Sequence, residues 1–337
     1  MTTQPTLRVV LAGYGSLGAA LLRGLLASDG CTVVGVFRWE STRLGTAMRD
    51  DETMSFRTLV NRFGLPDIRF GSMNDYPFTA WLTQNQVDLV LVGSWGEILK
   101  RHLLDLPDLQ MINCHPALLP AHRGANPYSS VILSDERFSG VTFHRITEGV
   151  DEGPILLQET LPVQTGETGE SLRGRTSLLA ESMVPRLIAG LRSAEGLAEI
   201  NQAGAVASYF PPLRVEDGLV DFSQSAERIL CRQRALYPWL LPYTFIAGKT
   251  LVRFNRLSLR LRERDPGQAA YVPGTVLSLD GGRLQVATVT PGCVLESGDY
   301  AVYRTLFDRW GGFLPAWLSR WWLPRIIRPG HVCGPEA

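Results

Sequence analysis

The sequence predicts an α/β protein in which a doubly wound, mostly parallel sheet is followed by a smaller β-rich domain. Three observations point there. Between Leu7 and Cys114 apolar strands alternate with helically spaced segments, the pattern of parallel crossovers. From about Ala205 the chain changes to short strands parted by Gly-Gly and Pro-Gly turns. Its 337 residues also exceed the size at which one core stops growing. The expected division is residues 1–204, residues 205–303 and a Trp- and Arg-rich tail, 304–337.

The first strand is the apolar run Leu7 to Ala12, which ends in Gly13-Tyr14-Gly15, and Leu17 to Leu26 continues with helical spacing. Thr32 to Phe37 is the second strand. A polar, charge-mixed loop (Arg38 to Thr53) leads to a helix over Phe56 to Phe63, another around Trp81, and a buried third strand, Val87 to Val92. Gln110 to Cys114 is the fourth, and Pro116 and Pro120 stop regular structure just beyond it. Gly140 to Arg145 and Ile155 to Val163 form a strand pair around a Gly-rich turn at 149–153, and an amphipathic helix, Ser171 to Leu191, closes the domain. Further on, Ser223 to Leu236 is helical, whereas Thr250 to Leu261, Pro273 to Leu279 and Arg283 to Thr290 are strands. The tail from Arg304 to Arg328 sets Trp310, Trp317, Trp321 and Trp322 among five arginines, and packing onto the β-rich domain is the expected use of so many aromatics.

Composition narrows the function classes. With 33 basic and 33 acidic residues the formal charge is zero, so no global positive field gathers nucleic acid or an acidic membrane. Cys31, Cys114, Cys231, Cys293 and Cys333 are scattered, without the close pairs a zinc site uses, and read as reduced, buried thiols. The N-terminus runs into an apolar strand without a basic, cleavable leader, and no apolar run reaches membrane-spanning length, so the expected location is cytoplasmic.

Two motifs carry chemistry. Gly13-x-Gly15-x-x-Gly18 lies between strand and helix, with Glu40 after the second strand, and satisfies the fingerprint of a Rossmann-like NAD(P) oxidoreductase. The same glycines serve any tight βα turn in which helix and strand pack closely, and that reading takes the larger share. The other motif is Asn113-Cys114-His115-Pro116 through Pro120, followed by Arg123-Gly124, at the end of a parallel strand, with Asp151 in a Gly-flanked turn downstream. Loops at carboxyl strand ends are where such sheets bind ligands. Asn113 and His115 are two apart, so on a continuing strand they share a face and can converge on one oxygen, which suits acyl transfer. Spacing alone equally allows a loop Asn, a packed His and a turn-capping Asp.

The stretches INCHPALLPAHRGANP and GVTFHRITEGVDEGPILLQ resemble the paired signatures of the folate-dependent formyltransferases, the family of methionyl-tRNA, glycinamide ribonucleotide and sugar-nucleotide formyltransferases. EDGLVDFSQSAERILCRQRALYPW and PGTVLSLDGGRLQVAT resemble the small OB-like C-terminal domain of the methionyl-tRNA enzymes, so the resemblance runs from about residue 7 to about 300. It implies transfer of a formyl group from 10-formyltetrahydrofolate to a primary amine, with Asn113, His115 and Asp151 as the catalytic set. Asn113 and a protonated His115 would donate to the oxyanion, and Asp151 would keep His115 charged and accept the amine proton. The pterin would lie along Trp95, Gly96 and Ile98 and the backbone of Glu148, Gly149 and Val150, with no metal required. Gly13 to Gly18 then becomes a loop lining the site, in place of a dinucleotide cradle.

Two departures bear on the acceptor. The loop RWESTRLGTAMRDDE lacks the dense basic run that resembles a tRNA clamp, which tells against tRNA. Ala121 to Tyr128 lacks the Trp-Arg-Gly-Ala-Ala-Pro form of the methionyl-tRNA enzymes and is closer to sugar formyltransferases. The second domain thus favours methionyl-tRNA, and the loops favour an aminosugar nucleotide or an amino acid. His144, in an apolar strand, reads as structural or as a support to the site, and His102 and His331 show no evident partners.

Overall fold

The computed structural model describes residues 6–38, 56–247, 250–262, 271–304 and 327–334. Glu40, the rest of the loop up to Thr53, and the four tail tryptophans lie outside the described residues. The chain divides into two compact units, Met1–Pro212 and Leu213–Ala337.

The first unit runs β1 (Leu7–Gly13), α1 (Gly15–Leu26), β2 (Cys31–Arg38), α2 (Phe56–Arg62), β3 (Asp67–Ile68), α3 (Tyr76–Gln84), β4 (Leu89–Gly93), α4 (Arg101–Leu104), β5 (Gln110–His115), β6 (Arg123–Gly124), α5 (Pro127–Leu133), β7 (Phe138–Arg145), β8 (Ile155–Pro162), α6 (Gly169–Arg192) and β9 (Tyr209–Phe210). Seven strands form one sheet in the order β3-β2-β1-β4-β5-β7-β8, and β6 pairs with β9 apart from it. The pairs from β3 to β5 are parallel, and β5-β7 and β7-β8 are antiparallel. From β1 the chain winds outward to β2 and β3, then crosses back to β4, so the strand order reverses between β1 and β4, the position at which such sheets open a ligand crevice.

The strands read as unbroken apolar runs because both faces of the sheet are covered. Val9, Leu11, Leu89 and Leu91 pack with Leu21, Leu25, Val184 and Leu187 of α1 and α6. Their neighbours Val10, Ala12, Val90 and Val92 point the other way, to Phe37, Phe78, Leu82 and Leu103. Helix α6 starts two residues before the expected Ser171, because Thr168 caps it: its side chain accepts from the Ser171 amide at 3.1 Å.

Gly13 closes the β1 turn where space is smallest, since a Cβ there would stand 2.5 Å from the Gly93 carbonyl oxygen. At Gly18 a Cβ would instead meet Gly13 and the Phe56 ring at 3.4 Å, an ordinary contact. Close packing of strand and helix therefore accounts for Gly13 without a dinucleotide. Gly13→Ala is expected to destabilise the fold by about 2 kcal/mol, because the obstructing atom is backbone and cannot rotate away, as urea unfolding would measure.

The second unit contains α7 (Ala226–Leu236), β10 (Tyr243–Ile246), β11 (Thr250–Leu261), β12 (Val276–Asp280), β13 (Arg283–Ala287), β14 (Cys293–Arg304) and β15 (Cys333–Gly334). The six strands form one sheet in the order β12-β13-β14-β11-β10-β15, with every pair antiparallel. Phe222, Ile229, Val252, Phe254, Val276, Val286 and Leu295 build its core. β14 pairs along nearly the whole of β11, from Thr250↔Arg304 to Leu261↔Cys293. Its sequence gives no sign of this, because Glu296-Ser297-Gly298-Asp299 interrupts the apolar alternation. Buried Glu296 is held there by the Gln285 amide at 3.0 Å and Arg260 at 3.1 Å.

Candidate active site

β5 delivers the site. Cys114 joins the core beneath α6, so on an alternating strand Asn113 and His115 face the other way. Burial pushes the Cys114 thiol up, which removes it as a nucleophile. Across the antiparallel pair, Asn113 stands opposite His144 and His115 opposite Thr142.

Asp151 reaches this face from the turn after β7. Its Oδ1 accepts from Asn113 Nδ2 at 3.3 Å and lies 3.4 Å from His144 Nε2. Its Oδ2 accepts from the Gly124 amide at 2.9 Å and lies 3.5 Å from His115 Nδ1. The three residues singled out by the motifs are therefore brought together. His144, read as structural or as a support to the site, makes a fourth: its Nδ1 donates to the Arg145 carbonyl at 2.8 Å, which leaves Nε2 to accept from Asn113 Nδ2 at 3.1 Å. The register that sets it opposite Asn113 is not visible in the chain, although an alternating strand containing a His was.

Protonation follows from burial and partners. His115 is 3% exposed, and its Nε2 donates to the His122 carbonyl at 2.8 Å. Burial lowers the His115 pKa and outweighs the upward pull of Asp151, while His144 adds to the fall. The shift favours the neutral imidazole, whose lone pair would then lie on Nδ1, beside Asp151, because Nε2 donates to the His122 carbonyl. The carboxylate acts in the expected direction, and desolvation opposes it. Burial alone would raise the Asp151 pKa, yet His115, His144 and the Gly124 amide together hold it well below the usual carboxylate range. Burial also lowers His122, against the pull of Glu136.

These shifts fix how stability responds to acid. All three groups have folded-state pKa values below their unfolded ones, so each contributes stability that is complete above the unfolded pKa and is lost as pH falls through the folded one. The thermal midpoint is expected to drop between about pH 7 and pH 5 as His115 and His122 take up protons on unfolding, and again below about pH 4 through Asp151. Melting curves across that range check this.

The segments expected to cradle the pterin also meet. Arg101 Nε lies 3.6 Å from the Glu148 carboxylate, joining the chain after β4 to the loop before Asp151. Asn74 fixes the first segment: its Nδ2 donates to the Ile98 carbonyl at 3.0 Å, and its Oδ1 accepts from the Lys100 amide at 2.7 Å. Trp95 packs on Phe37 at 5.2 Å between ring centroids and donates from Nε1 to Glu97 at 3.2 Å. Gly96 follows Trp95 in the same loop, while Ile98 and Val150 present exposed apolar side chains. A Cβ on Gly149 would collide with the Glu152 side chain, so the backbone there runs close beneath it. His102 has a partner after all, donating to the Asn74 carbonyl at 3.1 Å, and His331 Nδ1 accepts from the Arg328 amide at 3.3 Å. Among the described residues no group of three His, Cys, Asp or Glu side chains is arranged to hold a metal ion.

Comparison with known proteins identifies the family. Residues 8–188 match the formyl transferase family model, and residues 212–296 match the model of the formyl transferase C-terminal domain. The chain is 31% identical to the methionyl-tRNA formyltransferase of Ectopseudomonas mendocina over 84% of its own length and 86% of that protein. It is 35% identical to that of Syntrophus aciditrophicus over 69% and 73%. Among solved structures, the N-formyltransferase from Helicobacter canadensis, in complex with folinic acid and dTDP-3-aminofucose, superposes with a TM-score of 0.59 at 15% identity, over 87% of this chain and 99% of that one. That last likeness is one of fold. Nothing in these comparisons supports a nicotinamide oxidoreductase; the chain belongs to the formyl transferase family.

Proposed function

We propose that this protein transfers the formyl group of 10-formyltetrahydrofolate to a primary amine at Asn113, His115 and Asp151. The observation that carries the reading is the convergence of Asn113 Nδ2 and His115 Nδ1 on the two oxygens of Asp151, at 3.3 and 3.5 Å, where a parallel strand ends. The neutral amine attacks the formyl carbon, and negative charge gathers on the formyl oxygen. Asn113 Nδ2, which can turn from His144 to that oxygen, supplies the hydrogen bond. The amine's proton passes to the vacant His115 Nδ1, directly or through water, and the imidazolium so formed is stabilised by ionised Asp151. The same proton then leaves with the folate nitrogen as its bond to the formyl carbon breaks.

Trp95, Gly96, Ile98, Glu148, Gly149 and Val150 are the residues we assign to the folate. Methionyl-tRNA is the first acceptor to test, because the curated relatives bear that activity in their name and match across both units. The loop departures favour an aminosugar nucleotide or an amino acid as the competing class. Supplying 10-formyltetrahydrofolate with charged initiator methionyl-tRNA, aminosugar nucleotides and small amino acids separates them. Formylated methionyl-tRNA supports the first reading, and formylation of an aminosugar nucleotide alone refutes it. We place the reaction in the cytoplasm: none of the five cysteines forms a disulfide, which suits a reducing compartment, and among the described residues no helix is long and apolar enough to cross a membrane.

A further inference from the structure

Asp151 holds its carboxylate in place from an unfavourable backbone. Its φ of +54° lies in the left-handed region, which a residue with a Cβ occupies only where its surroundings impose it. Two carbonyls of the turn, those of Asp151 and Gly153, are satisfied by one buried side chain. Gln202 Nε2 donates to the Asp151 carbonyl at 3.0 Å and to the Gly153 carbonyl at 2.7 Å. Its Oε1 accepts from Arg123 at 2.9 Å, and the residue is only 4% exposed. Arg123 adjoins Gly124, whose amide donates to Asp151 Oδ2 at 2.9 Å. The Arg123–Gly124 strand is itself fixed by Tyr209–Phe210 and by the Ser208 carbonyl, which accepts from the Arg123 amide at 2.9 Å.

We propose that Gln202 is a positioning residue for formyl transfer: its one amide locks the backbone of the Asp151 turn to the strand that holds the Asp151 carboxylate. The inference rests on the proposed role of Asp151. Gln202 lies outside both signature stretches, in the connection after α6, and touches none of the reacting groups. A purely structural brace would pin this connection to the unit, and its loss would lower stability alone. A positioning brace sets the distance between Asp151 and His115. When it is cut, Asp151 drifts from the Gly124 amide and from His115, and His115 loses the carboxylate that, with the hydrogen bond to the His122 carbonyl, raises its basicity against burial and the charges of His144 and His122.

The test compares Gln202→Leu and the similarly sized, neutral Gln202→Met with the wild-type protein. The first readout is the titration midpoint of the His115 ring by nitrogen NMR, which needs no acceptor. It is expected to fall by about half a pH unit or more. The second is turnover: kcat is expected to fall about thirtyfold while KM for the folate stays within about threefold. In an Asp151→Asn background Gln202→Leu is expected to cost less than about twofold further, because its effect passes through that carboxylate. If Gln202→Leu does not fold, Gln202→Met carries the same comparison. A folded variant with an unmoved His115 midpoint, or a loss of kcat undiminished in the Asp151→Asn background, overturns the proposal. Absence of formyl transfer by the wild-type protein would instead sink the proposed function while leaving the midpoint to judge Gln202.

Discussion

Asp151→Asn is expected to lower kcat about a thousandfold while KM for the folate changes little. Asparagine keeps the size and still accepts from the Gly124 amide, so the turn should survive. What disappears is the charge that stabilises His115 once it has taken a proton. His115 lies in a site where burial already lowers its basicity. Without the carboxylate at 3.5 Å, forming an imidazolium there becomes far costlier. A thousandfold corresponds to about 4 kcal/mol of transition-state stabilisation, the scale expected of one charged group acting at short range in a dry site. Single-turnover rates at saturating folate measure the effect, and a loss below about tenfold would assign Asp151 to structure instead.

His115→Ala is expected to lower kcat by a similar factor, about a thousandfold, and also to destabilise the protein by about 2 kcal/mol. The two substitutions differ because of what each leaves behind. Removing the imidazole strands the buried His122 carbonyl that Nε2 satisfied, and deprives the Asp151 carboxylate of its nearest cation when the ring is charged. Rates and denaturant midpoints measured on both variants separate chemistry from stability. The double variant should lose little more activity than either single one, because the two groups act as a unit.

Much of this site was legible in the chain. Strand alternation located β5, and a two-residue spacing put Asn113 and His115 on one face. The bottom of the sheet was legible for the same reason: strands covered on both faces leave unbroken apolar runs such as Leu89–Gly93. His144 was visible as a residue but not as a participant, since its meeting with Asn113 depends on the β5-β7 register, which no local pattern encodes. Gln202 left still less trace: it acts from an irregular stretch through side-chain bonds to backbone spaced some fifty residues away. The weight of desolvation at His115 was not legible, because sequence proximity names its neighbours but not its burial. In the second unit, β14 hid behind the polar interruption that buried Glu296 makes tolerable through Gln285 and Arg260.

The most direct test mixes the wild-type protein, Asp151→Asn and His115→Ala in turn with 10-formyltetrahydrofolate and the acceptors named above, and follows release of tetrahydrofolate together with the formylated amine. The account predicts that the wild-type protein yields the two products in equal amounts with one acceptor class, and that both variants, still folded and still thermally protected by the folate, yield almost none. Full activity in either folded variant, or no transfer of formyl to any amine by the wild-type protein, would contradict it.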